Sequence, residues 1–226
     1  MKYDDTEWYR SSRWDPEIEQ AFETRLRRAR PNGRNQYIRI QGLHLVGQDD
    51  PAVREVGRAL LRRAAHEEPT PYEFERLSAL ESLGDALLRD GYLQEAEPIL
   101  REVIALTGSL ATGRSGTSGV TELTVAELLL ARADEASLVE ADVLLDQVEP
   151  RVLESAMFRD LVVRYLTCRA RVSSARADPR ACDYATEAIL VANETKPSIP
   201  RHPDVGRPNV TTATLADLEA IVHRFS

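Results

Sequence analysis

The chain of 226 residues carries 29 lysines and arginines against 37 aspartates and glutamates, a formal net charge of −8. This acidic balance argues against a partner that is nucleic acid and against a polybasic attachment to a membrane. The composition, 42% hydrophobic and 29% charged, excludes a disordered or fibrous chain. No apolar run approaches the roughly 20 residues of a membrane span, and the first residues do not form a signal peptide. We therefore expect a cytoplasmic protein with no membrane association.

The amino-terminal arm, residues 1–14, concentrates the large aromatic residues Trp8, Tyr9 and Trp14. Two interpretations remain open. The arm packs its tryptophans on the first helices as a cap, which we favour, or it forms an interface, where tryptophan and arginine are enriched. Trp8 and Trp14 are therefore secondary interface candidates.

After the arm, apolar residues recur at helical spacing almost to the end of the chain, and no segment alternates apolar and polar residues as a half-buried strand does. The pattern predicts an all-α protein. Its helices are expected at about 15–30, 34–47, 51–67, 71–89, 92–106, 120–132, 137–148, 153–175, 179–195 and 213–224.

Two stretches interrupt the helical pattern. Residues 107–119, TGSLATGRSGTSG, predict a flexible loop. Residues 196–209 contain four prolines and cannot be helical. A stiff segment of this kind is easily held in a bound form, so Arg201 and His202 are further secondary interface candidates, although a rigid connector to the last helix is the favoured interpretation.

A repeated pattern explains the order of the helices, and its clearest copy is residues 80–106. Gly84 lies on one helix, Gly91 and Tyr92 form the turn, and Ala96 lies on the next helix. Gly84 and Ala96 are small, so we expect the two helices to cross closely at these positions. The motif resembles the tetratricopeptide repeat.

Three weaker copies accompany the clear one. The matching positions are Gly42, Leu45, Gly57, Leu61, Ala64 and Pro69 in the first; Ala126, Leu129, Ala141, Leu145 and Val148 in the third; and Leu166, Ala170, Ala181, Ala185 and Ala188 in the fourth. The resemblance implies tandem antiparallel helical hairpins stacked as a short right-handed solenoid, with terminal helices at about 15–30 and 211–224 as caps. The expected division is an arm (1–14), a repeat domain (15–196), and a connector with a capping helix (197–226).

The resemblance also implies where a partner binds, because the first helices of successive repeats line a concave groove in that family. Positions expected to face outward from the first helices carry both signs of charge, which favours a partner of mixed charge. These groove candidates are Arg39, Glu81, Asp85, Arg89, Glu127, Arg164 and Arg171.

Signals for catalysis are weak. Gly108, Gly113 and Ser115 have the spacing of a phosphate-binding loop, but the segment follows a helix instead of a strand, and Arg114 replaces the required lysine. The four histidines lack metal-ligand spacing, and we expect Cys168 and Cys182 to be buried small hydrophobes that do not form a redox pair. We therefore expect neither a metal nor a cofactor.

The function predicted from the sequence is a non-catalytic adaptor, chaperone-like, regulatory or neutralising module that binds another protein or a peptide in the groove. Two alternatives remain open. One is an enzyme or ligand-binding protein that uses the 107–119 loop with Arg114, and the other is a structural module that self-associates.

Overall fold

The computed structural model describes residues 7–66, 73–109, 116–155, 157–197, 201–202 and 205–226. Within these ranges the chain is all-α, with ten helices and no strand. The helices are α1 (Pro16–Arg28), α2 (Pro31–Val46), α3 (Pro51–His66), α4 (Glu73–Arg89), α5 (Leu93–Ser109), α6 (Thr121–Leu130), α7 (Glu135–Glu154), α8 (Arg159–Ala175), α9 (Arg180–Ala192) and α10 (Thr212–Phe225).

Several boundaries differ from the predicted ones, and prolines account for two of these differences. Pro31 does not separate the first two helices but begins α2, because a proline at the first helical position gives up no hydrogen bond. The predicted end at about 148 is wrong, since α7 continues through Pro150 to Glu154. Pro150 cannot donate to the carbonyl of Asp146, and this is the only backbone bond that the proline removes from the helix. The next helix consequently begins later than predicted, at Arg159.

The chain divides into two compact units, residues 1–121 and 122–226. In the first unit α2 packs on α3, α3 on α4 and α4 on α5, and α2 also packs on α4. In the second unit α7 packs on α8, α8 on α9 and α9 on α10, and α8 also packs on α10. The packing of consecutive helices is consistent with a helical repeat.

Small residues allow the helices of the first unit to approach closely. A Cβ added to Gly84 would lie 2.5 Å from Leu100 Cδ2 on α5, which confirms the predicted crossing. A Cβ on Gly42 would lie 2.9 Å from Leu61 Cγ on α3. Glycine at both positions lets a leucine of the following helix pack directly on the backbone.

The turn between α4 and α5 follows from Gly91, whose φ of +83° suits glycine. The amide of Tyr92 donates to the carbonyl of Leu87 at 2.9 Å and closes the end of α4. The second unit ends α8 in the same way, with Ala177 at a φ of 56° and the Asp178 amide donating to the Ser173 carbonyl at 2.8 Å.

The described part of the amino-terminal arm packs on the first helices, as the favoured interpretation predicted. The Trp8 ring lies 5.3 Å from that of Phe22 on α1 and 5.0 Å from that of Tyr37 on α2. The side chain of Gln41 holds the backbone of Ser11 from both sides: it accepts from the Ser11 amide at 2.9 Å and donates to the Ser11 carbonyl at 2.8 Å. Because these groups are buried, the pairing satisfies a backbone that would otherwise lack partners.

A buried arginine lies in each unit. Arg58 on α3 pairs with Glu55 and with Asp90 in the turn after α4, and its guanidinium lies 5.0 Å from the Tyr92 ring centroid. In the second unit, Arg169 on α8 pairs with Asp142 at 2.8 Å and with Asp146, both on α7. Each arginine joins neighbouring parts of the chain through ion pairs.

Candidate functional site

A cavity of about 880 Å³ in the second unit is the main candidate site. Its walls come from α6, α8 and α10, with Asn209, Val210 and Thr211 from the segment that leads into α10. Three of the predicted groove residues, Glu127, Arg164 and Arg171, line it together.

One face of α8 forms a wall of this cavity. Asp160, Arg164, Thr167 and Arg171 all line it, and their spacing of three or four residues places them on one side of a helix. Thr167 is 6% exposed, and its hydroxyl has no hydrogen-bond partner among the described residues. An unpaired buried hydroxyl of this kind costs free energy.

Two ion pairs lie on either side of Thr167 along α8. Arg164 donates to both carboxylate oxygens of Glu127, from Nε at 3.0 Å and from Nη2 at 2.7 Å. Arg171 donates from Nε to Asp217 Oδ2 on α10 at 2.8 Å. All four side chains are about one third to one half exposed, so each pair adds little to stability and can exchange its partner for a charged ligand.

Cys168 also lines the cavity but is not suited to nucleophilic chemistry. Its side chain is buried, and burial raises the pKa of the thiol well above its ordinary value. The thiol therefore stays protonated near neutral pH. Cys182 is only half-buried, so the expectation of a second buried cysteine is wrong, and its Sγ lies 3.7 Å from the hydroxyl oxygen of Ser226.

The structure contradicts the outward position predicted for two groove candidates of the first unit. Glu81 is only 8% exposed. Its carboxylate accepts from the Ser118 amide at 2.6 Å, the Ser118 hydroxyl at 2.7 Å and the Thr121 hydroxyl at 2.6 Å. Arg39 is largely covered as well, because it donates to Glu75 on α4 at 2.6 Å. Both side chains hold the fold together and do not face outward.

The other two candidates of the first unit are exposed, as predicted. Asp85 and Arg89 both lie on α4. Arg89 also donates to the Val46 carbonyl at 2.9 Å and so covers the carboxyl end of α2. Partner binding by these two residues stays a prediction.

The predicted 107–119 loop is shorter than expected, and its described end is anchored. Residues 107–109 belong to α5. Gly116 has a φ of +94°, and a Cβ there would lie 2.6 Å from the carbonyl oxygen of Phe74, so the site requires glycine. Arg114 and the phosphate-loop spacing at Gly113 and Ser115 lie outside the described residues.

The secondary candidates do not line the cavity of the second unit. Trp8 and Trp14 are half-buried in the packed arm, whereas Arg201 and His202 are exposed. The connector does contribute to the cavity, but through residues 209–211. Sequence reasoning missed Thr167 and Asp217. Thr167 could have been found from its place between Arg164 and Arg171 on one helical face, but nothing in the sequence pairs Asp217 with Arg171.

In the part of the chain that the structure describes, no three histidine, cysteine or acidic side chains come together in a way that would hold a metal ion. None of the described helices combines the length and apolar composition needed to cross a membrane. No protein-family model, curated protein or solved structure matches the chain.

Proposed function

We propose that the chain is a non-catalytic, tetratricopeptide-like interaction module, and that its second unit binds an extended segment of a partner protein in the cavity between α6, α8 and α10. The observation that carries the proposal is the meeting of Glu127, Arg164 and Arg171 around one cavity with the unpaired hydroxyl of Thr167. Each of these three charged positions was predicted from the repeat alignment, independently of the cavity.

The repeat interpretation is supported by the packing of glycine on leucine in two successive hairpins. Gly84 packs on Leu100 and Gly42 packs on Leu61. The second pair is separated by three more residues in the sequence, which matches the longer turn of that copy. Equivalent contacts at equivalent positions are what tandem copies of one supersecondary unit produce.

The chemistry of the cavity favours a peptide that carries both signs of charge. Arg171 uses only Nε on Asp217, and no described residue accepts from its terminal nitrogens, so they are available to a carboxylate or a backbone carbonyl. Asp160 on the α8 wall suits a basic side chain. The Thr167 hydroxyl, which lies between Asp160 and Arg171 along α8, supplies a hydrogen bond to a peptide group of the ligand.

The state of the polar groups supports a non-catalytic role. The Cys168 thiol is held protonated by its burial, and Glu127 and Asp217 are neutralised by their arginine partners. The cavity therefore recognises a ligand through charge and hydrogen bonding and provides no activated nucleophile.

Selection of short random peptides displayed on phage tests the proposal. We expect recovered peptides to bind the purified protein and to lose about tenfold or more in affinity with the Arg171→Glu variant, since a charge reversal in the site turns attraction into repulsion. The matched control is Arg180→Glu on α9, which pairs with Asp178 and does not line the cavity. The proposal is wrong if no peptide is enriched, or if both variants bind the recovered peptides as the unmodified protein does.

A further inference from the structure

Positive charge is concentrated in one short part of this acidic chain. From Thr24 to Gln48 the sequence contains six arginines and no aspartate or glutamate. Because these arginines contribute +6 to the net charge of −8, the rest of the chain carries −14. This segment is therefore the place where an anionic partner meets the least repulsion.

The fold gathers five of these arginines at the junction of α1 and α2, which we call the arginine corner. It comprises the last turn of α1, Ala29 and Arg30 between the helices, and the first turn of α2. Its arginines are Arg25, Arg27, Arg28, Arg30 and Arg34. The nearest acid on α1, Glu23, is paired with Arg63 of α3 and does not neutralise the corner.

Helix stability accounts for some of these arginines. Arg34 donates from Nε to the Ala29 carbonyl at 3.3 Å and from Nη2 to the Arg27 carbonyl at 3.0 Å, so it covers the carboxyl end of α1. Arg27 donates to the Thr24 hydroxyl at 3.3 Å. Arg28 and Arg30 are different, because both are exposed and neither side chain has an ion-pair or hydrogen-bond partner among the described residues.

Aromatic side chains lie beside these two arginines. Arg28, Ala29 and Tyr37 line two adjoining depressions of about 830 and 410 Å³. Arg30 lines the first depression and Trp8 the second. Tyr37 and Trp8 are in contact at a ring separation of 5.0 Å and are only half-buried. Arginine beside tryptophan and tyrosine is the composition that interfaces favour.

We propose that the arginine corner binds an acidic segment of a partner protein, with Arg28 and Arg30 holding carboxylates and Tyr37 and Trp8 packing on the aliphatic parts of the segment. The guanidinium groups match carboxylates through paired hydrogen bonds. A short acidic segment fits within the corner, whereas a long nucleic acid would extend its charge over the acidic remainder of the chain.

This surface is separate from the cavity of the second unit, since the two share no residue. The inference does not depend on the proposed function. Each can fail without the other, because variants at Arg28 and Arg30 leave Thr167 and Arg171 unchanged.

Fluorescence anisotropy with a fluorescein-labelled octaglutamate peptide tests the proposal, with octaglutamine as the uncharged probe. We expect octaglutamate to bind the full chain at low salt and octaglutamine not to bind. The binding of octaglutamate should weaken as added salt screens the charges. The double variant R28E/R30E should lower the affinity about tenfold or more, because it replaces two attractive contacts by repulsive ones. A thermal melt followed by circular dichroism verifies that the variant is folded.

The matched control is R180E/R207E, which makes the same change in net charge at two exposed arginines of the second unit. It should bind octaglutamate as the unmodified chain does. The proposal is overturned if octaglutamate does not bind, if both double variants weaken binding equally, or if a single-stranded DNA oligonucleotide of similar charge binds more tightly than the peptide. It is also overturned if R28E/R30E converts a dimer into a monomer in sedimentation, because the corner would then be a contact between copies of this chain.

Discussion

At the scale of single residues, the distance between α4 and α5 depends on the absence of a side chain at Gly84. Leu100 occupies the space that a Cβ on Gly84 would need, because that Cβ would lie 2.5 Å from Leu100 Cδ2 and 2.7 Å from Leu100 Cγ. Leu100 is itself fully buried. A core packed to this density responds even to one added methyl group.

Gly84→Ala should therefore lower the free energy of unfolding by about 1–3 kcal/mol, as overpacking does. The matched control is Gly108→Ala on α5, where nothing lies within 4 Å of an added Cβ. There the better helix propensity of alanine should raise stability by about 0.5–1 kcal/mol. Urea unfolding measures both. Equal effects of the two substitutions would show that Gly84 is not a packing site.

Tyr165 gives the second unit a dependence on alkaline pH. Burial raises the pKa of its phenol to about 12, although the hydrogen bond from Arg169 Nε at 2.8 Å opposes the shift. The unfolded chain loses this proton near pH 10. The contribution of Tyr165 to stability is therefore complete below pH 10 and is lost between pH 10 and about 12.

An ultraviolet titration of the tyrosines should show one phenol that ionises only near pH 12. Tyr165→Phe should remove this late step, whereas Tyr92→Phe, which changes an exposed ring, should leave it in place. A titration in which Tyr165→Phe alters nothing at high pH would contradict the buried environment of this phenol.

At the scale of helices and turns, the sequence was sufficient to predict all ten described helices, because apolar spacing, caps and prolines are local signals. The packing of the arm, as far as residues 7–14 show it, and the crossing at Gly84 were also predicted. The position of Glu81 was not, because its partners Ser118 and Thr121 lie 37 and 40 residues away. Arg39 similarly finds Glu75 at a distance of 36 residues. Helical periodicity assigns a face to a residue but does not reveal a polar partner on another segment.

Glu81 attaches the segment before α6 to α4 through its three accepted hydrogen bonds. Glu81→Ala should lower the free energy of unfolding by about 1.5–3 kcal/mol, the range for hydrogen bonds to a charged group. It should also speed amide hydrogen exchange at Ser118, whose N–H donates to the carboxylate. Asp85→Ala on the same helix should cost less, since Asp85 is exposed. Unchanged exchange at Ser118 would show that Glu81 does not hold the segment.

At the scale of the whole molecule, 27 of the 29 basic side chains are arginine, and this excess over lysine has a structural use. Planar guanidinium groups pair with several acceptors at once, as Arg169 does with Asp142, Asp146 and Tyr165. The net charge of −8 nevertheless conceals a strongly uneven distribution. The repeat alignment predicted a two-sign surface but not the acid-free run from Thr24 to Gln48, which appears only when charge is counted along the chain.

The proposed binding of a peptide around the Thr167 hydroxyl can be tested at that one side chain. The experiment measures the affinity of a selected peptide for Thr167→Val and Thr167→Ser, together with the free energy of unfolding of each variant. Valine removes the hydroxyl and nearly keeps the shape, whereas serine keeps the hydroxyl. We expect Thr167→Val to bind about tenfold more weakly without any loss of stability, because a hydroxyl that has no partner in the free protein gains one from the peptide. Thr167→Ser should retain most of the affinity. Equal binding by the valine variant and the unmodified protein would show that the Thr167 hydroxyl takes no part in peptide binding.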